Sequence, residues 1–241
     1  MNYIEAKELF KKIDIELTRE QYESFNNFEK ELLEWNEKIN LTTITEDIDI
    51  WLKHFVDSAA ILKYIDNEKS KKEVKTLIDI GTGAGFPSIP LLILKGNLKV
   101  TMLDSLNKRV IYLKEVCAKL NFSYNEIVHG RAEDFGKDIK YREQYDYVTA
   151  RAVANLATLS ELCLPFLKVG GKFLCMKGTS IEEEVTSAKK AINLLGGKIE
   201  KIDTFNLPNS NIERNVIIIN KIKETPNGYP RKAGLPSSKP L

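Results

Sequence analysis

Asp79 stands two residues ahead of Gly81, Gly83 and Gly85, which alternate with Thr82 and Ala84 before Phe86 and Pro87. An apolar run from Val74 to Ile80 leads into them, and an apolar helical segment follows. A buried strand, a tight turn and a helix start, in that order, open a nucleotide-type pocket in an open α/β sheet. A carboxylate at the strand's end would repel a dinucleotide pyrophosphate and attract an ammonium group. The spacing GxGxG also differs from the GxGxxG of dinucleotide enzymes. S-adenosylmethionine carries an adenosine, an ammonium and a sulfonium but no phosphate, so it suits both features. Glycines alone are equally served by a plain strand-to-helix turn that needs positive φ. The next apolar run, Leu98 to Leu103, strengthens the ligand reading. It ends at Asp104, followed by Ser105, near the offset of about 20 residues at which an acidic side chain meets the ribose hydroxyls.

Two further loops follow predicted strands. Gly130-Arg-Ala-Glu-Asp134 offers backbone amides and carboxylates suited to an adenine edge, and Phe86 offers an apolar face beside the donor. After the fourth strand stands Thr149-Ala-Arg151-Ala-Val-Ala-Asn155, without the Pro-Pro-aromatic motif that orients an exocyclic nitrogen for methylation. Carbon-5 methylation of a pyrimidine needs a thiolate nucleophile. Cys117, Cys163 and Cys175 all lie in apolar segments, which reads as a reduced core. Arg151 places a permanent cation where an acceptor approaches, suiting RNA or the purine edge on which guanine shows N7 and O6. The N7 lone pair is available at neutral pH, so transfer to it needs positioning and no general base. Arg151 is therefore the candidate for positioning the acceptor.

The elements around these loops set the fold class. Strands are expected at 74–80, 98–103, 124–129, 145–150 and 171–176, with helical segments at 87–95, 107–120, 154–168 and 180–195. Such alternation predicts parallel βαβ units with right-handed crossovers. Lys198–Phe205 and Asn215–Ile222 have no helix between them and read as an antiparallel pair at the sheet edge, an arrangement of methyltransferases and not of nicotinamide enzymes. Ahead of the sheet, Thr18 and Gln21 form a capping box, and Tyr22, Phe25, Phe28, Leu32, Trp35 and Ile39 recur at helical spacing. Asn40–Thr43 breaks that helix and Ile48–Ile65 reads as another; Asp66–Glu73 is a charged linker. The expected division is a helical region at 1–66, a methyltransferase domain at 74–222 and a basic tail at 223–241. The tail's prolines and glycines are a composition of disorder.

The whole chain sets few limits beyond these. Its 241 residues are 43% hydrophobic and 29% charged, with 36 Lys and Arg against 34 Asp and Glu. A net charge of +2 neither demands nor excludes a nucleic-acid partner, so only a local basic patch would speak to one. No signal core or run of transmembrane length is evident, which reads as a cytoplasmic protein away from membranes. No residue set has metal-ligand spacing.

With these motifs the sequence resembles the ribosomal small-subunit methyltransferase G family, also called glucose-inhibited division protein B, over nearly its whole length. The likeness rests on Trp35–Thr42, His54-Phe-Val-Asp-Ser58, Asp79–Pro87, Asp104–Arg109, Thr149–Ala152 and Tyr229–Pro236. It implies a class I Rossmann-like fold, with a mostly parallel seven-stranded sheet and a terminal antiparallel pair behind a small helical region. It also implies methyl transfer from S-adenosylmethionine to N7 of one guanine of 16S ribosomal RNA, in the small subunit or an assembly intermediate. Gly81, Phe86, Ala132, Glu133 and Arg151 would then line the donor site, with Asp104 and Ser105 at the ribose. Ser88 departs from the family pattern, where a second glycine is common. RNA contacts would come from His54, Arg109, His129, Arg131, Lys177 and Arg214, with Arg231 and Lys232 clamping phosphates. A small-molecule or protein methyltransferase, a nicotinamide enzyme and a non-catalytic RNA-binding module remain alternatives on the same scaffold.

Overall fold

Seven strands form one sheet in the computed structural model, which describes residues 1–65, 74–151 and 154–241. They are β1 (Lys75–Ile80), β2 (Leu98–Asp104), β3 (Glu126–His129), β4 (Tyr145–Arg151), β5 (Leu167–Lys177), β6 (Gly197–Asn206) and β7 (Glu213–Lys221). Their spatial order is β3-β2-β1-β4-β5-β7-β6. All neighbours are parallel except β7, which runs antiparallel to both β5 and β6. The seven-stranded, mostly parallel sheet with a terminal antiparallel pair is therefore present as expected. The charged linker Asp66–Glu73 lies outside the described residues.

Chain order reverses between β1 and β4, which places a ligand crevice at the carboxyl ends of these strands. Registration brings the candidate residues together there. Asp79 pairs in register with Met102 on one side and Thr149 on the other, and Asp104 with His129. Burial explains the apolar runs, since β1 ends in four buried residues and β2 in five.

The helices of the N-terminal region are α1 (Tyr3–Lys11) and α2 (Arg19–Ile39), each opened by a capping box. The next run contains α3 (Asp47–Ile50), a π-helical stretch at Trp51–Val56, α4 (Asp57–Ala59) and a 3-10 stretch at Ala60–Tyr64. Phe10, Phe25, Phe28, Trp51 and Phe55 are fully buried in the core cluster that also holds Leu77 and Val100 of the sheet. Aromatic stacking knits them, with Phe25 and Phe55 4.8 Å apart by ring centroid. The predicted apolar stripe of α2 thus packs on the helical segments at Ser88–Leu94 and Asn107–Lys119, which in turn lie against β2.

Between strands lie α5 (Ser88–Leu94), α6 (Asn107–Lys119), α7 (Ala132–Phe135), α8 (Leu156–Cys163) and α9 (Glu182–Leu194). The helix expected over 154–168 is shorter, ending in a 3-10 turn at Leu164–Phe166. Pro165 has no N–H for a continuing helix, and the chain enters β5 four residues before the expected start at 171.

The tail departs most from its composition. Arg142 donates to the carbonyls of Tyr229 at 2.8 Å and Thr225 at 2.5 Å. The tail ends with α10 (Leu235–Ser238) and with Leu241 packed on the second core cluster. Disorder was the expectation; side chains far away in sequence supply the partners that order this segment.

Candidate active site

The turn after β1 is built on positive φ, which Gly81 (70°), Gly83 (62°) and Gly85 (89°) adopt without strain. A Cβ on Gly85 would meet Ile89 Cδ1 at 2.5 Å, whereas one on Gly83 would meet only the Gly81 carbonyl at 3.8 Å. Gly85 is therefore required for packing. Gly83 leaves space on the ligand side.

Asp79 is fully buried beneath this turn. Its Oδ2 accepts from the Ser88 hydroxyl at 2.8 Å, so the serine that departs from the family pattern supplies a buried donor. Asp79 Oδ1 and Thr82 Oγ1 are buried and neither makes a hydrogen bond of normal geometry among the described residues. Burial pushes the Asp79 carboxyl up to about 7, against the opposing pull of Thr82, Ser88 and Arg151. An under-satisfied carboxylate below a glycine turn fits a ligand with an ammonium group.

Asp104, at the end of β2, is 2% exposed. Its Oδ2 accepts the Gly83 N–H at 2.9 Å and its Oδ1 accepts the Leu106 N–H at 2.9 Å, fixing the glycine turn to the second strand. Arg109 approaches the same carboxylate at 3.5 Å, and its buried Nε has no hydrogen-bond partner among the described residues. A carboxylate has about four lone-pair sites, so capacity remains for ligand hydroxyls.

A cavity of about 400 Å³ opens over these groups, lined by Thr42, Gly81, Gly83, Phe86, Asp104 and Arg109 among others. A second, of about 390 Å³, is lined by Asp57, Met176, Lys177, Phe205, Arg214 and Asn215. His54 and Arg151 line both and form the partition between them. A third cavity of about 220 Å³ shares Gly81 and Ser105 with the first and reaches the Gly130–Glu133 loop. A larger cavity, about 650 Å³, lies elsewhere, among Lys12, Gln21, Lys63, Lys95 and Phe205, and includes none of the turn residues.

The partition has defined chemistry. The Arg151 guanidinium lies 4.8 Å over the Phe86 ring, while the His54 ring stacks on Phe86 at 4.4 Å and 18°. Arg151 Nη2 is 3.2 Å from His54 Nδ1, and Thr42 Oγ1 is 2.9 Å from His54 Nε2. A guanidinium only donates, so Nδ1 accepts and the ring proton resides on Nε2, which donates to Thr42. Burial and the neighbouring Arg151 push His54 down to about 3, so the ring is neutral. Thr42 Oγ1 also accepts from the Ile44 N–H at 3.0 Å, which leaves the hydroxyl proton to donate toward the first cavity.

Asp57 accepts from Arg214 Nε at 3.0 Å and lies 3.6 Å from Arg151. Two guanidiniums share one carboxylate, so this wall carries a net positive charge. The π-helical stretch brings His54, and α4 brings Asp57, to the same arginine. Burial lowers Arg151 below the usual guanidinium value, and Asp57 and Asp79 oppose that shift.

The expected RNA contacts fall into four placements. His129, Arg131 and Lys232 are exposed, with His129 Nε2 3.1 Å from the Ser105 carbonyl oxygen. Arg109 and Arg214 stand at cavity walls. His54 is buried in the partition, 7% exposed. Lys177 donates to Ala154 O and Glu184, and Arg231 is paired with the fully buried Glu161. Internal partners therefore engage Lys177, expected as an RNA contact, and Arg231, expected as a phosphate clamp.

Sequence reasoning gave no site role to Thr42, read as part of a helix break and of the family-like stretch Trp35–Thr42, or to Ser88. It had no signal for Glu161, whose partner lies 70 residues away. All three cysteines are free and buried, and burial pushes Cys117 and Cys175 up to about 12, so none offers a thiolate. Among the described residues no group of three or more His, Cys, Asp or Glu could hold a metal ion. No described helix is long and apolar enough to cross a membrane.

Known proteins agree with this geometry. A family model described as rRNA small subunit methyltransferase G matches residues 21–216. The Ribosomal RNA small subunit methyltransferase G of Brevibacillus brevis is 52% identical over 227 residues, covering 94% of each chain. That of Alkaliphilus oremlandii is 48% identical over 242 residues, covering 99% of this chain and 100% of its own. A solved SAM-dependent methyltransferase from Aquifex aeolicus is alike in fold, with TM-score 0.52 and 17% identity over 73% of this chain and 94% of that one. The family match spans both the helical region and the sheet, and the chain belongs to the rRNA small subunit methyltransferase G family.

Proposed function

We propose that the protein transfers the methyl group of S-adenosylmethionine to N7 of a guanine in 16S ribosomal RNA, the activity of its family. The observation that carries this reading is the pair of adjoining cavities divided by His54 and Arg151. The first supports a donor reading through Asp104 in its wall and Asp79 buried beneath its glycine turn, and the second supports an anionic acceptor through Arg151 and Arg214. S-adenosylmethionine supplies an electrophilic methyl on a sulfonium sulfur.

The chain's own residues position and enclose. Asp79 attracts the ammonium, and Asp104 holds the glycine turn and takes the ribose hydroxyls. Phe86 fixes the planes of His54 and Arg151, and Arg151 orients the purine's acceptor edge. His54 has both ring nitrogens engaged and stays neutral, so it neither takes nor gives a proton at physiological pH. That agrees with attack by a nitrogen that carries no proton. Holding two reactants in line accounts for roughly 7–11 kcal/mol of barrier lowering in such a design. Action on ribosomal RNA supports a cytoplasmic protein with the small subunit or its assembly intermediate as partner.

Labelled S-adenosylmethionine, incubated with free 16S RNA and with intact small subunits, tests the reading. Label is expected in RNA, and the better substrate of the two identifies the natural form. Label confined to protein or small molecules contradicts it.

Two variants probe the donor side. Asp104→Ala removes the acceptor of a ribose hydroxyl and the anchor of Gly83, and donor affinity is expected to fall by about 1–3 kcal/mol in calorimetry. Unchanged affinity removes Asp104 from the site. Asp79 gives a pH signature, because its folded value near 7 lies above its ordinary value. Ionisation of this buried group costs stability, so folding stability is lost as pH rises through the interval from the ordinary carboxylate value to about 7. Donor affinity runs the other way and weakens below pH 7, as the carboxylate is protonated. Asp79→Asn is expected to abolish that pH dependence and to bind donor weakly throughout; a variant with the parent's pH profile rejects the assignment.

A further inference from the structure

The C-terminal segment follows the last strand, beyond the residues 21–216 that the family model covers, and it reaches the donor side of the sheet. Glu133 Oε1 accepts the Gly234 N–H at 2.9 Å, and Thr158 Oγ1 donates to the Pro236 carbonyl at 2.9 Å. Arg231 clamps Glu161 with Nε at 2.9 Å and Nη2 at 2.6 Å. Thr158, Glu161 and Leu162 share one face of α8, so one helix face holds the segment. These bonds carry exposed Ser237 into the wall of the 220 Å³ cavity, opposite the Gly130–Glu133 loop.

That cavity adjoins the donor cavity, since Gly81 and Ser105 line both. Ile80, Leu103, Ala132 and Leu162 give it apolar walls, and Glu133 and Ser237 give it polar edges. Flat apolar walls with a few edge-on polar groups suit a purine ring.

We propose that the C-terminal segment Arg231–Ser238 completes the adenine subsite of the donor pocket, with Ser237 as the residue that meets the base. The inference rests on the donor reading above. The strap of hydrogen bonds to α7 and α8 holds Ser237 in place, and its hydroxyl both donates and accepts, matching the mixed edge of adenine. Donor occupancy and order of the segment are then linked.

The test uses the full chain and S-adenosylhomocysteine as probe. Ser237→Tyr fills the cavity from an exposed position, so the dissociation constant is expected to rise about tenfold or more, with the unfolding midpoint moved by less than about 2 °C. Adenosine alone, as a competitor, should weaken in parallel. Binding within about twofold of the parent overturns the proposal. Amide hydrogen exchange of the parent gives a readout independent of any variant: saturation with S-adenosylhomocysteine is expected to slow exchange at Leu235, Ser238 and Lys239, whose N–H groups bond within the segment. Unchanged exchange there overturns it as well. A parent that binds no S-adenosyl compound would instead bring down the donor reading itself.

Discussion

Arg151→Ala is expected to lower the rate of methyl transfer by about 100-fold or more while donor binding and folding change far less. The guanidinium is held from four sides, by Lys53 O at 3.4 Å, His54 Nδ1 at 3.2 Å, Asp57 at 3.6 Å and the Phe86 face at 4.8 Å. Such fixation leaves little freedom, so a purine edge docking against it meets a pre-set donor fork. Alanine at this position removes the partition between the cavities, and small misplacements of reactants cost about 100-fold in rate. Stability suffers less because Arg214 still pairs with Asp57. The orphaned group is the His54 nitrogen, a neutral acceptor whose loss costs about 1–3 kcal/mol. Steady-state transfer to 16S RNA, read beside thermal unfolding, separates the two effects. Arg151→Lys keeps the charge without the planar fork and is expected to recover only part of the rate. An alanine variant with full activity removes Arg151 from the acceptor site.

Arg231→Ala carries the largest expected loss of stability. The Glu161 side chain has no exposure, and Arg231 gives it a backbone N–H at 2.8 Å as well as the guanidinium fork. Removing one partner of a buried pair strands the other charge and costs about 3–5 kcal/mol. Glu161→Leu, which removes the charge that needs a partner, is expected to cost much less than Arg231→Ala despite losing the same ion pair. Denaturant unfolding of both variants decides the matter. Equal and small losses would show that the pair adds nothing to fastening the tail.

The parts of the fold legible in the sequence were those set by local pattern. The alternation of apolar strands with helices, the capping box at Thr18 and the glycines after Asp79 each follow from the chemistry of neighbouring residues. Asp104 was legible because its distance from the glycine turn reflects the length of one βαβ unit. Contacts made across the chain were not legible. Thr42 reads as a helix break until the π-helical stretch turns His54 toward it, 12 positions later. The tail looked disordered because composition reports what a segment can bury by itself, whereas Arg142 and Glu161 supply its partners from outside. Lys177 and Arg231 read as open cations for the same reason, since their carboxylate partners come from helices that pattern alone does not orient.

The most direct measurement of the central claim is nucleoside mass spectrometry of 16S RNA after incubation with the protein and S-adenosylmethionine. One N7-methylguanosine per RNA is predicted, absent when Arg151→Ala replaces the parent over the same interval. Methyl groups on another base or another atom, or RNA left unmodified in both free and subunit-bound form, would contradict the account.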